Sequence, residues 1–146
     1  MSEDPANPLT LDTNIDEIIE NFQMLDDWDD RYGYLIELGR ALKPMPDGAQ
    51  TDINKVKGCV SQVWLYPSAT DDGRVAFRGA SDAHIVSGLV AVALSLFSGQ
   101  RAEEIVAIDE QKTFRDIGLA EHLTPQRSNG LRAMVERIKA LAQAAS

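Results

Sequence analysis

The sequence predicts an α+β fold: a small three-stranded antiparallel sheet packed with helices, in the order α-α-β-β-β-α-α-α. Apolar residues first recur at helical spacing, and a cluster of short, β-rich segments then surrounds an Asp-Asp-Gly turn. A long apolar run and a capped final helix close the chain.

Ile15, Ile18, Ile19 and Phe22 mark the first helix, and Trp28, Tyr32, Leu35, Gly39 and Leu42 lie along one face of the second. Lys43-Pro44-Met45-Pro46-Asp47-Gly48 stops the second helix, because prolines and glycine cannot continue its hydrogen-bond ladder. A short strand is expected around Ile53 to Lys57, a stronger one at Val63-Trp64-Leu65-Tyr66 and a third at Val75-Ala76-Phe77-Arg78. Asp71-Asp72-Gly73 favours a hairpin between the last two. From Asp82 the pattern turns helical, and Ile85, Val86, Leu89, Val90, Ala93, Leu94 and Phe97 predict a central buried helix ended by Gly99. Its small residues Ser87, Ala91 and Ser95 form a seam for close packing. Shorter helical pieces follow at Ala102 to Ala107 and Glu110 to Ile117. Thr124-Pro125 then caps a last helix with the stripe Leu131, Met134, Val135, Ile138, Leu141 and Ala142.

The chain of 146 residues has the usual size of one domain, and we expect residues 1-14 to form a flexible segment and 15-146 a single domain. A net charge of -9 argues against nucleic acid or an anionic membrane surface as partner. The run Ile85 to Phe97 is too short to span a bilayer. The N-terminal residues show neither the basic start nor the apolar stretch of a secretory signal, and the single cysteine suits a reducing compartment, so a cytoplasmic location is expected.

That cysteine, Cys59, stands in Val56-Lys57-Gly58-Cys59-Val60-Ser61-Gln62-Val63-Trp64, between two strand-like segments. A lone thiol cannot close an intramolecular disulfide or build a multi-thiolate metal site, but on a loop it can reach a partner's sulfur. A free cysteine is commonly an inert core residue. Here the preceding Gly58 and the following Ser61 and Gln62 favour a reactive loop position. A cysteine hydrolase would need an imidazole beside the thiol, and only His84 and His122 are available. Both read first as structural residues. One cysteine and two scattered histidines show no metal-ligand spacing, so no metal is expected. The acidic run Asp26 to Asp30 reads as a solvated helix start, and the dispersed glycines form no phosphate cradle. Arg127 falls in the first turn of the last helix, where the dipole disfavours a cation without a partner; it is either a functional charge or a surface arginine.

The segment Gly58-Cys59-Val60-Ser61-Gln62-Val63-Trp64 resembles the acceptor motif of the SufE family of sulfur-acceptor proteins, which includes the CsdE branch. The resemblance extends, in colinear order, to Tyr34-Leu35-Ile36-Glu37-Leu38-Gly39, to Gly79-Ala80-Ser81-Asp82-Ala83 and to His122-Leu123-Thr124-Pro125-Gln126-Arg127. It implies a fold similar to that of the iron-sulfur scaffold proteins, with Cys59 as the persulfide acceptor. By the same resemblance Gly58, Ser61, Gln62 and Trp64 belong to the acceptor loop, Asp82 opens the helix after the sheet, and His122 and Arg127 belong to a C-terminal motif. Ala80 and Val60 depart from relatives that carry an acidic residue and a glutamine there, changes that bear on partner preference.

The resemblance further implies a protein that is not itself an enzyme and holds no cofactor. It would take sulfur from a cysteine desulfurase of the SufS or CsdA type, which carries pyridoxal phosphate, stimulate that enzyme, and pass the sulfur to a downstream iron-sulfur scaffold complex. Lys57 and Arg127 are candidates to favour the thiolate. A thiol-independent regulatory adaptor and a cysteine hydrolase are the competing readings.

Overall fold

The computed structural model describes residues 14–58 and 61–145. Helix α1 (Ile15–Met24) opens on Asn14, whose side chain accepts from the Glu17 amide at 3.0 Å, and buries Ile18 and Phe22. Helix α2 (Trp28–Arg40) opens the same way on Asp27, with Asp29 and Asp30 in its first turn and Arg40 in its last, each placed to complement the helix dipole. The expected flexible segment lies, save for Asn14, outside the described residues.

Strands β1 (Val63–Ala69) and β2 (Arg74–Ser81) form the expected antiparallel hairpin, in register from Val63 opposite Ser81 to Ala69 opposite Val75. Gly73 takes the turn with φ +81°, a conformation that disfavours a side chain. Beside it the Thr70 hydroxyl and the Arg74 guanidinium hold the Asp72 carboxyl down to about 2. Helix α3 (His84–Phe97) is the buried helix the sequence predicts; Leu89, Val90, Ala91, Val92, Ala93 and Leu94 are all fully enclosed.

The α+β class and the three-stranded antiparallel sheet agree with expectation, but one strand lies elsewhere. The segment expected as the first strand is a 3-10 turn, Asp52–Asn54, followed by a single bridge from Lys55 to Trp64. Ile53 is 82% exposed and Val56 alone of the segment's apolar side chains is buried, so pairing with β1 is confined to the end of the segment, at Lys55 and Val56. The third strand is β3 (Gln100–Arg101), which follows α3. Ser98 ends the helix and accepts the Phe77 amide on its hydroxyl at 2.9 Å; Gly99, at φ +86°, then donates to the Val75 carbonyl at 2.8 Å and reverses the chain onto β2. The sheet order is β1-β2-β3.

After β3 come α4 (Ala102–Ala107), α5 (Glu110–Asp116), α6 (Leu119–His122) and the long α7 (Pro125–Ala145). Thr124 caps α7 as expected, its hydroxyl accepting from the Arg127 amide at 3.3 Å. Leu131, Met134, Val135, Ile138 and Ala142 turn inward, joining Phe22, Leu35, Phe77 and Phe97 in one apolar cluster. Two glycines set the spacing of α2 and α3: a Cβ on Gly39 would lie 2.7 Å from the Ser87 Cβ, and one on Gly88 would lie 2.2 Å from the Leu35 carbonyl oxygen. The seam expected along α3 is therefore used at Ser87 and completed by Gly88.

Candidate functional site

The loop between the 3-10 turn and β1 is closed at its base from both sides. On one side the Val56 amide donates to the Val63 carbonyl at 2.8 Å, beside the Lys55 to Trp64 bridge. On the other, Gln62 and Asp82 exchange two bonds: the Gln62 amide donates to the Asp82 carboxylate at 3.0 Å, and the Asp82 amide donates to the Gln62 carbonyl at 3.2 Å. Asp82 thus ties the end of the loop to the connection between β2 and α3. Gly58 sits within the loop at φ +91°, and a Cβ there would stand 3.4 Å from the Ala133 Cβ on α7. Cys59 and Val60, at the loop's centre, lie outside the described residues. What the structure describes is the frame around them.

Next to this frame opens a cleft of about 550 Å³. Ser61 brings the loop to its edge, His84 and Leu89 come from α3, and Arg127, Gly130 and Met134 come from α7. Ile36 of α2 contributes a further apolar wall. The spacing 127, 130 and 134 places one face of α7 along the cleft. Arg127 is half-buried, and among the described residues no carboxylate pairs with its guanidinium. A cation near a helix N-terminus opposes the dipole. At this position it adds positive charge to a mainly apolar cleft beside the loop.

Of the residues singled out in the sequence, the structure brings Gly58, Ser61, Gln62, Asp82 and Arg127 around this loop and cleft. Trp64 lies two residues into β1 opposite Ala80, half-buried, and its contribution is the bridge to Lys55. His122 stands in a different cluster. Its ring stacks on Trp28 at 3.9 Å between centroids and 21° between planes, and its carbonyl accepts from the Tyr32 hydroxyl at 2.6 Å. The Arg31 guanidinium lies 5.2 Å from the same Trp28 ring. His122 thus joins the α6 end to α2, and it does not line the cleft. His84, read from the sequence as structural, does line it. The available signal was its position two residues after Asp82, on the helix that Asp82 ties to the loop.

Among the described residues no group of three or more His, Cys, Asp or Glu side chains could hold a metal ion, and no helix is long and apolar enough to cross a membrane. The site is thus a framed loop beside a cleft, carried on an α+β core. The chain belongs to the SufE family: residues 16–142 match its profile, described as Fe-S metabolism associated domain. It is 54% identical over 134 residues to an uncharacterized SufE-like protein of Rhizobium meliloti, covering 90% of this chain and 96% of that one. It is 52% identical over 129 residues to an uncharacterized SufE-like protein of Rhizobium etli, covering 86% and 87%. A hypothetical protein from Thermus thermophilus, solved in solution, shares the fold with a TM-score of 0.72 at 22% identity, covering 90% of this chain and 94% of that chain. The protein is thereby associated with iron-sulfur metabolism.

Proposed function

We propose that the protein accepts sulfur on Cys59 as a persulfide from a pyridoxal-phosphate-dependent cysteine desulfurase in the cytoplasm, and relays it to iron-sulfur cluster assembly. The observation that carries this reading is the frame: a loop bearing the chain's only thiol, tied at both ends and flanked by an apolar cleft with Arg127 at its wall. In the transfer, the Cys59 thiolate attacks the terminal sulfur of the donor's persulfide. A new S–S bond forms at Cys59, the donor's S–S bond breaks, and the donor cysteine leaves as a thiolate. No external oxidant or reductant is consumed.

The thiolate is the attacking species, so positive charge near it favours reaction. Lys57, two residues before Cys59, and Arg127, on the cleft that Ser61 also lines, are the candidates to supply it. A second thiol nearby would attack the persulfide and release sulfide, and the chain has none. The cleft offers a partly apolar recess in which a loaded loop can rest between donor and acceptor. The test is to incubate the protein with a desulfurase and free cysteine and measure intact mass and peptide masses. One sulfur added at Cys59 is the expected result; a protein that stays unloaded while the desulfurase turns over overturns the reading.

The frame itself makes a separate prediction. Asp82→Ala removes the acceptor for the Gln62 amide and loosens one limb of the loop. Hydrogen bonds to charged groups contribute about 1.5–3 kcal/mol, less at an exposed site, so Cys59 should react with iodoacetamide about three- to tenfold faster in the free protein. An unchanged alkylation rate would show that this bond does not restrain the loop.

A further inference from the structure

Helix α7 reaches the acceptor loop by a second route, through its neighbouring face. Ala133 lies under Gly58, and Arg137, one turn further on, donates from Nη2 to the carbonyl of Ile53 at 3.0 Å. Ile53 belongs to the 3-10 turn that leads into the loop. This turn has no buried residue of its own, and the Ile53 side chain points into solvent. Hydrophobic burial therefore does not hold it. Within the segment Asn54 donates to the Ala49 carbonyl at 2.7 Å, a local bond, whereas the Arg137 bond spans 84 residues and ties the turn to the core helix.

The geometry of the guanidinium supports a positional role. Arg137 Nε is shut off from water, and among the described residues it has no acceptor. A buried donor without a partner costs free energy, so what the guanidinium gains in this pose is its bond to the turn. The side chain is held in this pose while its Nη2 serves the Ile53 carbonyl.

We propose that Arg137 is a positioning residue for the acceptor loop: by pinning the turn Asp52–Asn54 to α7, it fixes the point from which the Cys59 loop springs and so presents the loop preorganised to its partner. The consequence for transfer rests on the relay proposed above; the pinning itself does not. Losing such an anchor enlarges the ensemble of loop positions in the free protein, and the partner must then select the competent fraction. Affinity falls, while the step after docking is left unchanged.

Two variants separate this from a general loss of stability. Arg137→Met keeps most of the stem and removes the guanidinium, and Arg137→Lys restores a donor. In Arg137→Met, amide hydrogen exchange across residues 52–58 should quicken about tenfold while that of α3 stays unchanged, as expected for loss of a charge-assisted bond confined to this segment. The concentration that half-saturates desulfurase stimulation should rise about three- to tenfold, with the saturating rate within about twofold of the parent. Arg137→Lys should recover most of both effects. Exchange that quickens equally in α3, a variant that fails to fold, or unchanged exchange in 52–58 would each overturn the proposal. Exchange is read on the protein alone, so it reports on Arg137 even if a Cys59→Ser control still stimulates the desulfurase and thereby defeats the relay.

Discussion

Cys59→Ser is expected to abolish stimulation of the desulfurase altogether, returning turnover to the enzyme's own basal rate, and to leave the protein without added sulfur in mass spectra. Serine preserves size but supplies a hydroxyl that stays protonated near neutral pH and is a far weaker sulfur nucleophile than a thiolate. The substitution should not disturb folding. The frame around the loop is made by Val56 with Val63, Gln62 with Asp82 and Arg137 with Ile53, and none of these bonds uses the side chain at position 59. The same variant separates three modes of action. A regulatory adaptor would stimulate without the thiol, so full stimulation by Cys59→Ser favours that mode and defeats the relay. A hydrolase would act on an ester or amide in the absence of any desulfurase and would lose that activity on replacement of the imidazole it uses. For such a base the structure puts His84, on the cleft wall, ahead of His122, which is stacked on Trp28.

The fold and the candidate site are legible in the sequence to an unequal degree. Cys59 stands out because it is the only thiol and follows a glycine, features that need no third dimension. The hairpin is legible for a similar reason: alternating strands around Asp71-Asp72-Gly73 are local signals, and the turn forms with Gly73 at positive φ. The third strand is not. Gln100–Arg101 is too short to show a period, and it pairs only because Ser98 and Gly99 hook the end of α3 onto Phe77 and Val75. Conversely, the segment from Ile53 to Lys57 has strand-like composition, but its apolar Ile53 finds no surface to cover, and tertiary context overrides propensity. For the same reason His84 reads first as structural and Arg137 carries no signal of its own. His84 meets Ser61 only across the cleft they both line, and Arg137 bonds the Ile53 carbonyl across 84 residues, placements that only the tertiary fold supplies.

Where long-range packing decides, the expected result can even run against local propensity, and Gly88→Ala is the sharpest case. Alanine is favoured over glycine inside a helix by about 1 kcal/mol, so propensity alone predicts a more stable protein. In α3, however, a Cβ at this position would fall 2.2 Å from the Leu35 carbonyl oxygen and 2.6 Å from the Leu35 carbonyl carbon. Backbone atoms cannot rotate away, so α2 and α3 must move apart. Overpacking of this kind costs about 1–3 kcal/mol and occasionally more. With backbone as the obstacle, the upper end applies and outweighs the helical gain, for a fall in Tm on the order of 5–10 °C in a protein of this size. Gly33→Ala is the matched control: it too lies inside a helix, α2, but a Cβ there would meet nothing within 4 Å, so a slight rise in stability is expected. Thermal and urea melts of the two variants should move in opposite directions. If both rise, the close approach of α2 to α3 is not a constraint on this fold. The effect also reaches the cleft, because Ile36 on α2 and Leu89 on α3 line it together. Separating the helices should weaken the response to the desulfurase in Gly88→Ala even at temperatures where the variant remains folded, whereas Gly33→Ala should respond as the parent does.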